Sequence, residues 1–74
     1  MKLTVKLFAY FRDNRFVAEV QEYPDGTTIG EIVDRLEIDR NEIGITMINS
    51  KHSSFEDIPA GDDILAIFPM VGGG

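Results

Sequence analysis

Residues 64–74 read Ile-Leu-Ala-Ile-Phe-Pro-Met-Val-Gly-Gly-Gly, and this stretch decides the fold of the 74-residue chain. The apolar run Ile64–Phe68 is typical of a β-strand. Pro69 lacks the backbone N–H that a sheet ladder needs, so strand pairing is expected to end about there. Because glycine has no side chain and leaves the backbone free, we predict that residues 69–74 form a flexible tail ending in an α-carboxylate.

A glycine terminus of this kind has two interpretations. A glycine segment has no Cβ atoms and therefore fits a narrow active site on another protein, where the carboxylate of Gly74 would be the reacting group. Alternatively, the glycines form a frayed chain end without a role, as many termini do. The tail alone favours the second interpretation, so the rest of the sequence has to decide between them.

Length and composition indicate one small domain over residues 1–74, near the lower size at which a hydrophobic core suffices. The sequence contains no cysteine, which excludes disulfides, thiolate metal ligands and a thiol nucleophile. Its single histidine, His52, lies in a polar Lys-His-Ser-Ser segment and is expected to be a solvated loop residue. No metal site is therefore predicted.

The net charge is −6, and no lysine or arginine follows Lys51. An acidic chain without a basic stripe is a poor nucleic-acid binder, because phosphate contacts dominate that affinity. A partner with a positive surface near the C-terminal half would be attracted to it. With no membrane-spanning apolar run and no signal-peptide pattern, we expect a cytoplasmic protein that does not bind membranes.

Apolar periodicity predicts a hairpin followed by a helix. Alternation over Lys2–Phe8 indicates a first strand, and Phe16–Val20 a second strand that pairs back onto it. Thr28-Ile29-Gly30-Glu31 matches the Ser/Thr-x-x-Glu capping box that begins helices. The apolar stripe of that helix consists of Ile29, Ile32, Val33 and Leu36.

The second half predicts three more strands. Ile43–Ile48 forms a strand, Asn49-Ser50 turns the chain into a short strand around Lys51, and Ile64–Phe68 forms the last one. This order favours an α+β roll, with a mixed sheet of four to five strands and one main helix across one face. With the last strand parallel beside the first, it is the β-grasp, or ubiquitin-like, arrangement.

Several short motifs, in this order, resemble the ubiquitin-like sulfur carriers, above all the molybdopterin synthase small subunit (MoaD-like) and also the thiamine sulfur carrier (ThiS-like). Ile48-Asn49-Ser50-Lys51 is similar to the family's Val-Asn-Gly-Lys turn, and Ala60–Ile64 to its Asp-Gly-Asp-Glu-Val/Ile segment. Phe68–Gly74 is similar to its Phe-Pro-Pro-Val-x-Gly-Gly ending, and Leu7-Phe8-Ala9 to its first-strand end. Ser50, Met70 and Gly72 depart from the usual residues.

This resemblance implies a sulfur carrier that is not an enzyme on its own. A ubiquitin-activating-type adenylyltransferase would use ATP to adenylate Gly74, and a sulfur donor would convert it to a thiocarboxylate. As the small subunit of a transferase complex, the carrier would insert this tail into the large subunit of molybdopterin synthase and donate sulfur for molybdenum cofactor biosynthesis. No cofactor is expected to be bound by this chain itself.

The resemblance also implies a docking surface and the residues of the tail channel. Strand alternation places Phe8 and Phe68 on the sheet face opposite the helix, and with Pro69 they are predicted partner contacts. Met70 and Val71 are expected to line the partner's channel, followed by Gly72 and Gly73. A thiamine or tRNA-thiolation carrier, a protein modifier conjugated through Gly74, and a binding domain with an inert tail remain alternatives.

Overall fold

The computed structural model describes residues 1–70, and within them the chain forms five strands, one α-helix and two short 3-10 helices. The strands are β1 (Lys2–Leu7), β2 (Ala18–Glu22), β3 (Ile43–Ile48), β4 (Lys51–Ser53) and β5 (Ile64–Pro69). The α-helix, α1, spans Ile29–Arg35, and the 3-10 helices span Ala9–Arg12 and Arg40–Glu42.

Strand β5 lies at the centre of the sheet, whose order is β2-β1-β5-β3-β4. It runs parallel to β1, with Val5 opposite Leu65 and Leu7 opposite Ile67, and antiparallel to β3. Strands β1 and β2 form the antiparallel hairpin that the sequence predicts. The mixed five-stranded sheet with one α-helix confirms the predicted β-grasp fold.

One face of the two central strands forms the core against α1. Alternate side chains of β1 and β5 point to this face, as the period of a strand requires. The buried set from these three elements is Leu3, Val5, Leu7, Leu65, Ile67, Ile29, Ile32 and Val33, each no more than 1% exposed. The opposite side chains of β1 and β5 are left on the outer face of the sheet.

Helix α1 begins at the predicted capping box. The Thr28 hydroxyl accepts a hydrogen bond from the Glu31 backbone N–H, and the Glu31 carboxylate accepts one from the Thr28 N–H at 3.0 Å. The Thr28 hydroxyl also donates to this carboxylate, and the two bonds that Thr28 donates to it lower the pKa of Glu31 below its ordinary value. Because α1 has only seven residues, it depends on this cap and on its buried stripe rather than on intrinsic helix stability.

The segment between β1 and β2 differs from the prediction. The second strand begins at Ala18 rather than Phe16, and the chain first turns through the 3-10 helix Ala9–Arg12. This turn buries Phe11, which is only 2% exposed, at one end of the core, and Phe16 packs against the core beside it. The gain from burying the two rings outweighs the strand propensity of Phe16-Val17.

The turn between β3 and β4 has the two-residue form in which both residues have positive φ, Asn49 at 51° and Ser50 at 68°. Asn49 also holds the start of β5, because its amide donates to Asp63 Oδ1 at 2.8 Å and accepts from the Ile64 N–H at 2.9 Å. Ser50 makes no such compensating contact. A serine at this left-handed position carries steric strain that glycine would not.

We therefore expect Ser50→Gly to raise the free energy of unfolding by about 0.5 to 1 kcal/mol. Glycine relieves the left-handed strain, and part of that gain is offset by the larger conformational entropy that glycine loses on folding. Urea denaturation of the purified variant measures this change. Ser54→Gly is the matched control, since Ser54 lies outside the positive-φ region and its replacement should lower stability. A Ser50→Gly protein less stable than the wild type would contradict the assigned strain.

Candidate functional site

The end of β5 is held by β3 and by the residue that precedes β3. Pro69 lies opposite Ile43 in the ladder and is buried. The next N–H, that of Met70, donates to the Glu42 carbonyl oxygen at 2.8 Å. The prediction that the tail begins at Pro69 is therefore corrected: the ladder continues through Pro69 because the following residue supplies the missing donor. Residues 71–74, predicted to be flexible, lie outside the described residues.

A bulge in β3 lies directly against this end of β5. The register passes from Ile43 opposite Pro69 to Ile45 opposite Phe68, which leaves Gly44 as the extra residue. The backbone of Met70 crosses close to Gly44, and the Met70 side chain is 59% exposed. The last described residue of the chain thus leaves the sheet over the bulge.

The outer face of the sheet carries apolar side chains next to this exit. Phe8 and Phe68 stack with their ring centroids 4.1 Å apart and an interplanar angle of 15°. Ile45 lies opposite Phe68 and is 41% exposed, and Ile64 on the same face is 39% exposed. We call the residues Phe8, Ile45, Met47, Ile64, Ala66 and Phe68 the apolar sheet face. It is continuous with Met70 through a shallow depression that also includes Gly44 and Pro69.

One polar side chain borders the apolar sheet face, and a second contacts the residue that precedes β3. The Arg12 guanidinium lies over the Phe8 ring, 5.3 Å from its centroid, and its Nε donates to the Leu7 carbonyl at 2.8 Å. The Tyr10 hydroxyl donates to Glu42 Oε1 at 3.0 Å. Desolvation and this bond to a carboxylate raise the pKa of Tyr10 above its ordinary value.

The structure brings together the predicted site residues that it describes. Phe8 and Phe68 lie on the face opposite the helix, as strand alternation predicted, and Met70 lies beside them. Pro69 is buried, although the prediction made it a partner contact. Their roles in binding a partner stay predictions. Val71, Gly72, Gly73 and Gly74 lie outside the described residues.

Neither a metal cluster nor a membrane helix is found in residues 1–70. This part of the chain has no group of three or more His, Asp or Glu side chains placed to hold a metal ion. It also has no helix of the length and hydrophobicity needed to cross a membrane.

Sequence reasoning missed three residues of this region. Arg12 and Tyr10 are brought to the site by the unpredicted 3-10 helix Ala9–Arg12, so no strand pattern could reveal them. Gly44 interrupts the apolar run Ile43–Ile48, and an isolated glycine inside a strand often marks a bulge or a close backbone approach. That signal was available in the sequence.

The fold and the exposed exit of β5 define a ubiquitin-like β-grasp protein with an apolar sheet face. Residues 5–74 match the family model described as the ThiS family, and the chain belongs to this family. This confirms the resemblance to the ubiquitin-like sulfur carrier family. No curated protein sequence matches the chain.

Solved structures of the same fold include two molybdopterin converting factor subunits and a SAMP1 protein. A putative molybdopterin converting factor subunit 1 from Pyrococcus furiosus is 21% identical, with a TM-score of 0.79 over 96% of this chain and 99% of that one. SAMP1 from Haloferax volcanii is also 21% identical, with a TM-score of 0.77 and full coverage of both chains. Subunits 1 and 2 of the molybdopterin-converting factor from Helicobacter pylori form a complex in which a 14% identical chain matches with a TM-score of 0.67, again with full coverage of both chains.

The Phe8–Phe68 stack should contribute to folding stability. We expect a double-mutant cycle of Phe8→Leu and Phe68→Leu to give a coupling free energy of about 0.5 to 1.5 kcal/mol, the value typical of aromatic pairs. Urea unfolding of the two single variants and the double variant measures it. Phe8→Leu combined with Phe55→Leu is the control, because Phe55 packs against the core rather than on the apolar sheet face, and these two changes should add. Additivity in both cycles would contradict a stabilising stack.

Proposed function

We propose that this chain is a sulfur carrier whose Gly74 carboxylate is adenylated, converted to a thiocarboxylate and used to donate sulfur in molybdopterin biosynthesis, as the small subunit of molybdopterin synthase. One observation carries the proposal: the central strand β5 ends at Pro69, Met70 follows it beside the apolar sheet face, and Gly74 is only the fourth residue after Met70. A docking surface and a reactive terminus would thus be close enough to act on one partner.

The chemistry of a carboxylate explains why a partner is needed. Its oxygen is a poor leaving group, so acyl transfer requires activation. A ubiquitin-activating-type adenylyltransferase would join the Gly74 carboxylate to the α-phosphate of ATP, releasing pyrophosphate. A sulfur nucleophile would then attack the acyl carbon, the C–O bond to AMP would break, and sulfur would replace one oxygen in the product.

The apolar sheet face would dock both the activating enzyme and the large synthase subunit. The half-buried rings of Phe8 and Phe68 lie in one patch with exposed aliphatic side chains, and apolar patches of this kind are typical of protein interfaces. The stack and the Arg12 contact fix the orientation of Phe8 before binding, which lowers the entropy lost on association. The subunit 1 and 2 complex from Helicobacter pylori supports a large subunit as one such partner.

Two related carriers share the first step and are the alternative functions. A protein modifier would transfer the activated Gly74 carbonyl to a lysine amine instead of to sulfur, and the likeness to SAMP1 favours this alternative. A carrier for thiamine synthesis or tRNA thiolation would form the same thiocarboxylate and differ only in the acceptor. The ThiS family description favours the thiamine acceptor among these.

Thiolation should change the mass of the intact protein. After incubation with its cognate activating enzyme, ATP and a sulfur donor, the chain should gain the mass difference between sulfur and oxygen. Mass spectrometry measures the gain, and deletion of Gly74 should abolish it. An unchanged mass, while a control carrier is thiolated in its own system, would overturn the proposal. Lysine-linked conjugates formed without thiocarboxylate would instead support the modifier.

Docking through the apolar sheet face predicts that Phe68→Ala weakens recognition by the activating enzyme. We expect the carrier concentration at half-maximal rate to rise about tenfold, because a central interface aromatic is removed. Ile58→Ala is the control, since Ile58 is 57% exposed and lies outside the sheet. Steady-state kinetics of ATP-dependent activation measures both variants. Equal half-maximal concentrations for both variants would show that Phe68 is not a contact.

A further inference from the structure

Gly44 must be a glycine because of the atoms around it, and not because of its own backbone conformation. Gly26 is the glycine with positive φ among the described residues, so Gly44 has a backbone that any residue can adopt. An added Cβ at Gly44, however, would lie 3.0 Å from Met70 Cα, 3.1 Å from Pro69 O and 3.2 Å from Met70 N. All three are backbone atoms, which cannot rotate away as a flexible side chain could.

The same stretch of backbone is held by a hydrogen bond on its other side. The Met70 N–H donates to the Glu42 carbonyl at 2.8 Å. The carboxylate of Glu42 is in turn fixed by the Tyr10 hydroxyl at 3.0 Å. Met70 is therefore placed by two independent contacts with the start of β3, one of packing and one of hydrogen bonding.

We propose that Gly44 is a positioning residue for the reactive terminus, an inference that rests on the proposed function. Gly74 is the fourth residue after Met70, and four residues span at most about 14 Å. The position of Met70 relative to the apolar sheet face therefore limits where the Gly74 carboxylate reaches in a docked partner. Gly44 determines that position because it lets the Met70 backbone lie directly on β3.

A side chain at Gly44 would act through the end of β5. The Met70 backbone would have to shift away from β3 by a few tenths of an ångström, which weakens its hydrogen bond to Glu42. Met70, held less firmly on β3, must be fixed again when the partner holds the chain, which reduces the rate about tenfold. The apolar sheet face would still bind the partner, so the substitution would reduce the rate of the bound complex and would not weaken binding.

The test compares Gly44→Ala with Gly61→Ala in the thiolation reaction of the full chain with its activating enzyme. Gly61 is the matched control, because a Cβ added there meets no atom within 4 Å and its φ is not positive. We expect Gly44→Ala to lower kcat about tenfold with an unchanged KM, the sign of an interaction needed after binding. Gly61→Ala should leave both constants at the wild-type values.

Amide hydrogen exchange gives a second measurement that does not depend on the reaction. The Met70 amide should be protected in the wild-type chain and in Gly61→Ala, and about tenfold less protected in Gly44→Ala. An unprotected Met70 amide in the wild-type chain would overturn the proposal even if Gly44→Ala failed to fold. Thermal unfolding of each variant establishes that the kinetic comparison is made on folded protein.

The outcomes separate this inference from the function on which it rests. If the wild-type chain is not thiolated while Met70 is protected, the proposed function fails and the contact between Gly44 and Met70 stands. If the wild-type chain is thiolated and a folded Gly44→Ala chain keeps its kcat, the positioning role is wrong. A raised KM with an unchanged kcat also overturns that role, because it would place Gly44 in the docking surface.

Discussion

The parallel ladder between β1 and β5 is the constraint on which the rest of the structure depends. Parallel neighbours need a crossover connection, and in this chain the crossover carries the hairpin strand β2, the helix α1, and the strands β3 and β4. Because β5 is central, its inward residues Leu65 and Ile67 are fully buried between β1 and the helix stripe. Its outward residues are thereby placed on the open face, and its end is placed beside β3.

The fold was largely predictable from the sequence because its signals are local and agree with one another. Alternation in β1, the apolar runs of β3 and β5, the capping box at Thr28 and the Asn49-Ser50 turn each specify one element. Agreement between local and global preferences is what makes a sequence foldable. The 3-10 helix Ala9–Arg12 was not predictable in this way, since the burial of Phe11 selects it and no periodic pattern marks it.

The candidate site likewise contains a part that local sequence patterns predict and a part that they do not. The shared face of Phe8 and Phe68 follows from strand alternation once β1 and β5 are neighbours, and the stack confirms that placement. The contacts of Arg12, Tyr10 and Gly44 depend on how loops and a bulge approach the end of β5. The contacts of Tyr10 and Gly44 join residues far apart in the sequence, and those of Arg12 depend on the 3-10 helix, so a reading of strand and helix patterns cannot supply them.

The Phe8–Phe68 stack has a consequence for when the chain becomes recognisable. Its two rings come from opposite ends of the sequence and meet only after β5 has paired with β1. Pairing between such distant segments is the slow part of folding, because the entropy of closing the loop is lost before the stabilising contacts form. A partner that binds the stacked pair would therefore distinguish folded molecules from nascent or unfolded ones. Under the proposed function, the activating enzyme would then use no ATP on chains whose core has not yet formed.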